Sequence, residues 1–131
     1  MKFRNARHTK DLNRIIDFYG RVLGLKVLGD FKDHHEYNGV FLGLPGADWH
    51  LEFTTSNLSP VHYPDADDVL VFYAESVEEF NSIKEKFIAN RVQPVAPKNP
   101  YWRNNGITFL DPDGFRIVIS VLRIVPKRLN Q

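Results

Sequence analysis

The sequence predicts an α+β fold of two βαβββ modules in tandem, and three observations carry that expectation. Residues 11–23 and 76–87 space their apolar side chains as amphipathic helices do. Each helix start precedes a strand-like run by almost the same interval: Asp11 lies 41 positions before Glu52, and Ser76 lies 42 before Val118. The chain between reads as short extended runs separated by turn residues, so the pattern strand-helix-strand-strand-strand is written twice.

The first module takes residues 1–54. Leu12, Ile15, Ile16, Tyr19 and Leu23 form a helical stripe wide enough to cover one face of a sheet. Gly24, followed by apolar Leu25, supplies a left-handed stop, while Gly20 inside the helix costs about 1 kcal/mol relative to alanine. Extended runs follow near 25–31, 37–44 and 48–54, with Asp33-His34-His35-Glu36 and Pro45-Gly46 as turns. Residues 55–67 are polar and proline-bearing and read as a linker.

The second module takes residues 68–125. VLVFYA, 69–74, reads as a buried strand, and Ser76-Val77-Glu78-Glu79 as a capping box in which Ser76 and Glu79 satisfy each other's backbone donors. Val77, Phe80, Ile83 and Phe87 make the second stripe, and extended runs are expected near 92–96 and 106–110. Asp111-Pro112-Asp113-Gly114 is a tight turn that swings into the last strand: the proline fixes one dihedral and the glycine supplies a positive one. Beyond it, Phe115, Ile117 and Ile119 point to the core, which sends Arg116, Val118 and Ser120 to the opposite face.

Composition narrows the function classes. A chain of 131 residues fits a single domain, and 43% hydrophobic with 25% charged residues is the balance of an ordinary globular protein. No apolar run approaches the roughly 18 residues that span a bilayer, and the polar N-terminus lacks a signal core, so a cytoplasmic location and no membrane partner are expected. Zero cysteines exclude disulfides, thiolate metal sites and cysteine nucleophiles. A net charge of +1 offers no broad basic face, so no nucleic-acid partner is expected, and Pro126-Lys127-Arg128 reads as a solvated tail.

DLNRIIDFYGRVLGL at 11–25 resembles the D-L-x-x-x-x-x-F-Y-x-x-x-L-G signature of the vicinal oxygen chelate superfamily, which includes glyoxalase I, extradiol dioxygenases and the fosfomycin and bleomycin resistance proteins. DPDG near the C-terminal end is similar to its second hallmark. The resemblance spans nearly the whole chain and implies paired βαβββ modules whose sheets curl around a shared cleft, with a homodimer as the assembly. In metal-dependent members each module gives one ligand from its first strand and one from its last. By spacing these fall on Arg4 and Val69, seven positions before each helix start, and on Glu52 and Val118. Of the four only Glu52 can bind a metal, so neither a metal nor another cofactor is expected.

Alternation then gives a face list for the cleft. His50, Glu52 and Thr54 share one face, with Trp49, Leu51 and Phe53 on the other. Arg4, Ala6 and His8, then Val69, Val71 and Tyr73, then Arg116, Val118 and Ser120 join Glu52. A half-buried carboxylate needs a partner, and Arg4 or Arg116 is expected to supply it in place of a metal. His50-Leu51-Glu52 matches the H-x-E of zinc deaminases, but that chemistry needs a Cys-x-x-Cys this chain lacks. His34 and His35 lie in a predicted hairpin turn, which favours solvent exposure over a metal site with His50 and Glu52. In KNPYWRNNG, 98–106, Pro94, Pro97 and Pro100 keep the approach extended and place Tyr101 and Trp102 on a loop at the cleft mouth. Strict alternation sends Arg7 to the helix side, an odd destination for a charge that raises a one-residue slip in the first strand as an alternative.

The expected function is therefore metal-independent binding of a small aromatic or acidic compound between the modules, by a protein of the glyoxalase and bleomycin-resistance type. Arg4, His8, His50, Tyr73, Tyr101, Trp102 and Arg116 are the candidate ligand-binding residues. The alternative is a lyase, isomerase or fosfomycin-type transferase in which Glu52 is the catalytic base and an arginine stabilises the oxyanion.

Overall fold

The computed structural model describes residues 1–121. Residues 122–125 of the second module and the Pro126-Lys127-Arg128 tail lie outside the described residues. Strands β1 (Phe3–His8), β2 (Lys26–His34), β3 (Tyr37–Gly43) and β4 (Trp49–Thr55) form one sheet in the order β1-β4-β3-β2. Strands β5 (Val69–Tyr73), β6 (Ile107–Leu110) and β7 (Arg116–Ser120) form another in the order β5-β7-β6. The first strand of each module runs parallel to the last, and the other pairings are antiparallel. Ala6 pairs with Glu52 and Val71 with Val118, so the expected repeat is a repeat of register as well as of sequence interval.

The first helix, α1, opens as an α-helix over Leu12–Ile15 and widens into a π-helix over Ile16–Val22. Asp11 caps it by accepting from the Arg14 N–H. The wider turn is visible in the bond from the Leu23 N–H to the Phe18 carbonyl, 2.9 Å. It turns Phe18, Tyr19, Val22 and Leu23 inward together, where an ideal α-helix would fan four such side chains further apart. Gly24, at φ 102°, then ends the helix in the left-handed region as expected.

Helix α2 (Val77–Ala89) starts at Ser76, whose Oγ accepts from the Glu79 N–H at 3.0 Å. The expected reciprocity is displaced by one residue, because the Glu79 carboxylate takes the N–H of Glu75 and not that of Ser76. The extended run expected at 92–96 is reduced to a single bridge from Val95 to Thr108. Pro94 and Pro97 lack the N–H that a ladder needs, so β6 stays nearly unpaired on that side.

Both modules share one core. Ile15, Phe18 and Tyr19 of α1 meet Leu42, Leu51 and Phe53 of the first sheet, and Phe87 of α2 stacks on Phe109 of β6 at 4.2 Å while touching Phe18 at 5.4 Å. Each fully buried aliphatic or aromatic side chain contributes about 1.5–3 kcal/mol. The two modules therefore stand or fall together.

A buried polar clasp ties the first strand to the DPDG turn. Arg7 does point to the helix side, so the register of β1 follows strict alternation and the suspected slip is absent. Its Nη2 donates to Asp111 Oδ2 and to the Tyr19 hydroxyl, and the Tyr19 O–H donates to the same carboxylate oxygen. Asp111 Oδ1 accepts the backbone N–H groups of Asp113 and Phe115, each at 2.9 Å. The Arg7 guanidinium lies against the rings of Phe115 and Phe53 at 4.1 and 5.0 Å. Burial pushes the Tyr19 hydroxyl well above its ordinary pKa, and the adjacent Asp111 carboxylate adds to the shift. Burial draws the Arg7 guanidinium down, but Tyr19 and Asp111 outweigh it and the net direction is upward.

Candidate ligand cleft

The first sheet's inner face is built by two parallel neighbours, β1 and β4, which put Arg4 beside His50 and Ala6 beside Glu52. Leu51 and Phe53 fill the core on the other face, leaving His50, Glu52 and Thr54 half-buried on this one. Arg4 Nε donates to His50 Nε2 at 2.9 Å, and Arg4 Nη1 donates to Glu52 Oε1 at 3.2 Å. The imidazole therefore accepts at Nε2, which leaves its proton on Nδ1. Arg4 also lies 5.0 Å from the ring centroid of Phe41, which meets His50 edge-on at 5.6 Å. Together with Leu28 these residues line an open hollow of about 170 Å³. Of the two arginines expected for Glu52, Arg4 is the partner; Arg116 donates instead to the Ala96 carbonyl at 2.9 Å.

The second sheet's inner face is closed. KNPYWRNNG is not the extended loop expected but carries a short helix, α3 (Tyr101–Asn105), because the Asn99 side chain caps the Tyr101 N–H and Asn105 Nδ2 bonds back to the Tyr101 carbonyl. Tyr101 and Trp102 meet edge-on at 4.8 Å. Ser120 Oγ donates to the Asn105 carbonyl at 2.5 Å. Residue 106 must be glycine, since a Cβ there would stand 2.7 Å from Val118 Cγ1 and 2.9 Å from the Ile119 carbonyl oxygen. Val118 and Ser120 are completely buried as a result. Trp102, Thr108 and Arg116 leave a void of about 10 Å³, room for one water, beside a buried Thr108 hydroxyl that has no partner among the described residues.

Between the sheets, β1 and β5 are edge strands among the described residues, and Asn5 and Leu70 border the seam on both its halves. One half is a cavity of about 250 Å³ lined by Phe3, Trp49, His50, Val71 and Phe72. The other, of about 270 Å³, is lined by Ala6, Arg7, Asp68, Val69, Phe115 and Arg116.

The residues expected in one cleft are thus distributed. Arg4, His50 and Glu52 come together, and Arg116 lies in the second seam cavity. Tyr73 lines a groove of about 630 Å³ with Trp49, Phe72 and Ile83. His8 is engaged by the segment after β4, with Nε2 3.0 Å from Ser56 Oγ and its carbonyl 2.6 Å from His62 Nε2. Tyr101 and Trp102 ride on α3 rather than at a shared mouth. His34 and His35 pack on each other at the exposed β2–β3 turn and belong to no metal-ligating group among the described residues. Sequence reasoning missed Leu28 and Phe41, although alternation along β3 from buried Val40 and Leu42 was sufficient to place Phe41 on the inner face.

Residues 3–54 match the YycE-like N-terminal domain, and residues 67–120 match the YycE-like C-terminal domain. YycE of Bacillus subtilis strain 168, an uncharacterised protein, is 46% identical over 120 residues, covering 89% of this chain and 85% of YycE. The chain belongs to the YycE-like family of the vicinal oxygen chelate superfamily. The crystal structure of Bacillus subtilis YycE matches with a TM-score of 0.86 at 42% identity, over 97% of this chain and 93% of that one. Glyoxalase I of Leishmania major shares the fold at a TM-score of 0.70 and 22% identity, over 89% of this chain and 83% of its own. TnmS3, an antibiotic binding protein of Streptomyces sp. CB03234, does so at 0.65 and 21%, over 92% and 93%. This YycE-like chain is a glyoxalase- and fosfomycin-resistance-like protein, and one fold serves both an enzyme and a binder among its distant neighbours.

The superfamily's metal does not fit the residues of this YycE-like chain. The cation at the first ligand position is the Arg4 guanidinium itself, bonded to Glu52, and Val118 at another position is sealed under α3. Among the described residues no three His, Asp or Glu side chains gather as a ligand set.

Proposed function

We propose that this YycE-like protein is a metal-independent binder of a small aromatic or acidic compound, held on the first sheet's inner face and along the seam. The observation that carries the reading is the Arg4 guanidinium, which bonds His50 and Glu52 at once where metal-dependent relatives would place an ion. Arginine has five N–H donors, and the two bonds in the sheet leave others on a side chain that is 51% exposed. Phe41 and Leu28 give such a ligand an apolar wall beside the charge. Binding requires no activated nucleophile, and TnmS3 shows that the fold is used by an antibiotic binding protein. His8, Tyr73, Tyr101, Trp102 and Arg116 are secondary contacts in this reading, reached by a ligand that extends beyond the Arg4 hollow.

No helix among the described residues is long and apolar enough to cross a membrane. The long edge strand β2 is exposed along most of its length, which suits a homodimer that covers it. Light scattering on the purified protein tests that assembly.

The binding reading is tested with phenylphosphonate and a panel of aryl carboxylates, measured by calorimetry before and after EDTA treatment, with metal content measured in parallel. Binding unchanged by EDTA and weakened tenfold or more by Arg4→Ala is the expected result. Binding lost with EDTA, a stoichiometric bound metal, or glyoxalase-type isomerisation that disappears in Glu52→Gln would overturn it.

A further inference from the structure

The Arg4 guanidinium is held as a fixed plane on the first sheet's inner face. Its side chain starts on β1, bonds through Nε and Nη1 to His50 and Glu52 on β4, and brings Cζ to 5.0 Å over the ring of Phe41 on β3. It therefore lies across β4, with one face on Phe41 and the opposite face turned away from the sheet, where 51% of the side chain stays exposed. Two hydrogen bonds in different directions stop the plane from rotating, so a ligand that meets it has little left to order. Leu28 closes one side of the hollow. Glycine at 43 makes this possible, because a Cβ there would stand 3.0 Å from Leu28 Cδ1 and 3.1 Å from His50 Cβ. The Arg4 and Glu52 charges cancel, and Lys26, in register with Gly43 on the outer strand, is exposed and screened by solvent. An anion therefore gains little from a guanidinium that is already paired, and it also meets the Glu52 carboxylate. A neutral ring escapes that repulsion.

We infer that the exposed face of the Arg4 guanidinium is a stacking platform for a neutral, planar aromatic ring system, which lies over it as a second layer above Phe41. The inference rests on the binding function proposed above and chooses between its two ligand classes for this hollow: the aromatic ring, with an acid group dispensable. A guanidinium is flat, delocalised and weakly hydrated, so it stacks face to face on an aromatic ring and is attracted by the negative face of that ring's π-system. Phe41 supports the plane from below. A saturated ring of the same carbon skeleton offers neither a flat face nor that charge distribution. His50 meets Phe41 edge-on at 5.6 Å and, with Leu28, frames the hollow from the sides. At about 170 Å³ the space is smaller than a complete ligand pocket, which restricts the stacked part to roughly one or two fused rings.

The test compares 2-naphthol with decahydro-2-naphthol, which share a skeleton and differ in planarity and π-electrons, and with 2-naphthoate, which adds the charge; calorimetry on the full chain reads all three. 2-Naphthol is expected to bind at least tenfold more tightly than its saturated counterpart, and 2-naphthoate within threefold of 2-naphthol. Raising NaCl from about 0.05 to about 0.5 M is expected to leave the 2-naphthol affinity unchanged. Arg4→Lys decides between plane and charge: it keeps the cation beside Glu52 but removes the flat face, and is expected to erase the preference for the aromatic ring. Arg21→Lys makes the same exchange in an exposed ion pair on α1 and is expected to keep it. Equal affinity for the aromatic and saturated probes, a preference that survives Arg4→Lys, 2-naphthoate binding tenfold more tightly than 2-naphthol, or no 2-naphthol binding at millimolar concentration would each overturn the platform. If both uncharged probes bind alike without metal, or only the acid binds, the platform fails and the binding function stands; if the probes bind only with a metal present, it is the function that fails.

Discussion

Arg4 and Arg7 lie three residues apart on one strand, on opposite faces, and each pairs with a carboxylate. Arg4 and Glu52 keep 51% and 13% of their side-chain surface exposed, whereas Arg7 and Asp111 keep 10% and none. The chemistry is the same, but the surroundings assign different work. The inner pair is open to solvent on one side and retains free donors, so it can respond to a ligand. The core pair is closed by Tyr19, by two backbone N–H groups and by two aromatic rings, so it can only hold the first strand to the turn that begins the last one. An alternating strand separates binding from cohesion within three residues.

The largest break in this comparison comes from the core pair. Asp111→Asn leaves the Arg7 charge buried without its counter-ion, and removing one partner of a buried pair costs about 3–5 kcal/mol. Urea denaturation is expected to show a loss of that size with the m-value unchanged. A loss under 1 kcal/mol would mean that the clasp is no more than a surface bridge.

The second largest concerns the face that is closed. Gly106→Ala places a methyl group against Val118 and the Ile119 carbonyl, and overpacking of this kind costs about 1–3 kcal/mol. The expected companion effect is displacement of α3, read as a red shift of Trp102 fluorescence; Trp49 serves as the internal reference through Trp49→Phe. No loss of stability would show that α3 is not seated on Val118.

Next comes the alkaline limit. Tyr19 has a folded pKa raised by burial and by Asp111, so its contribution is fully present below the unfolded value near 10 and is lost as pH rises above it. Stability is expected to fall by about 1.4 kcal/mol per pH unit above that point. Tyr19→Phe, less stable at pH 7 for want of its hydroxyl, is expected to flatten the slope between pH 10 and 11. An unchanged slope would assign the alkaline transition to other groups.

Much of this fold was legible before any coordinates. Helical spacing placed α1 and α2 within about two residues, and the matched intervals to Glu52 and Val118 announced the repeat. Alternation put Arg4, His50 and Glu52 on one face and narrowed the partner of Glu52 to two arginines. It also sent Arg7 to the core, but its partner Asp111 is 104 residues away, and no local pattern carries contacts at such a separation. The π-widening of α1 was hidden for the same reason: it is what seats Tyr19 on Asp111, a tertiary demand on a sequence that reads as an ordinary helix. Helix α3 was illegible because three prolines read as an extended approach, while the turn that forms depends on Asn99 and on the sheet beneath Trp102. That one segment decides whether the cleft has two polar walls or one.

The smallest effect on stability is expected where the largest effect on binding lies. Arg4→Ala and Glu52→Gln, alone and together, form a double-mutant cycle on the inner pair, and a pair this exposed couples by about 0.2–1 kcal/mol. His50 accepts from the same guanidinium, so a small residual change in Arg4→Ala beyond the cycle term measures that third bond. Ligand affinity is expected to behave in the opposite way, falling tenfold or more in Arg4→Ala while the melting curve hardly moves. A coupling of 3 kcal/mol or more would place the pair with Arg7 and Asp111 as cohesion, and the first sheet's inner face would then have to be read as structural scaffold.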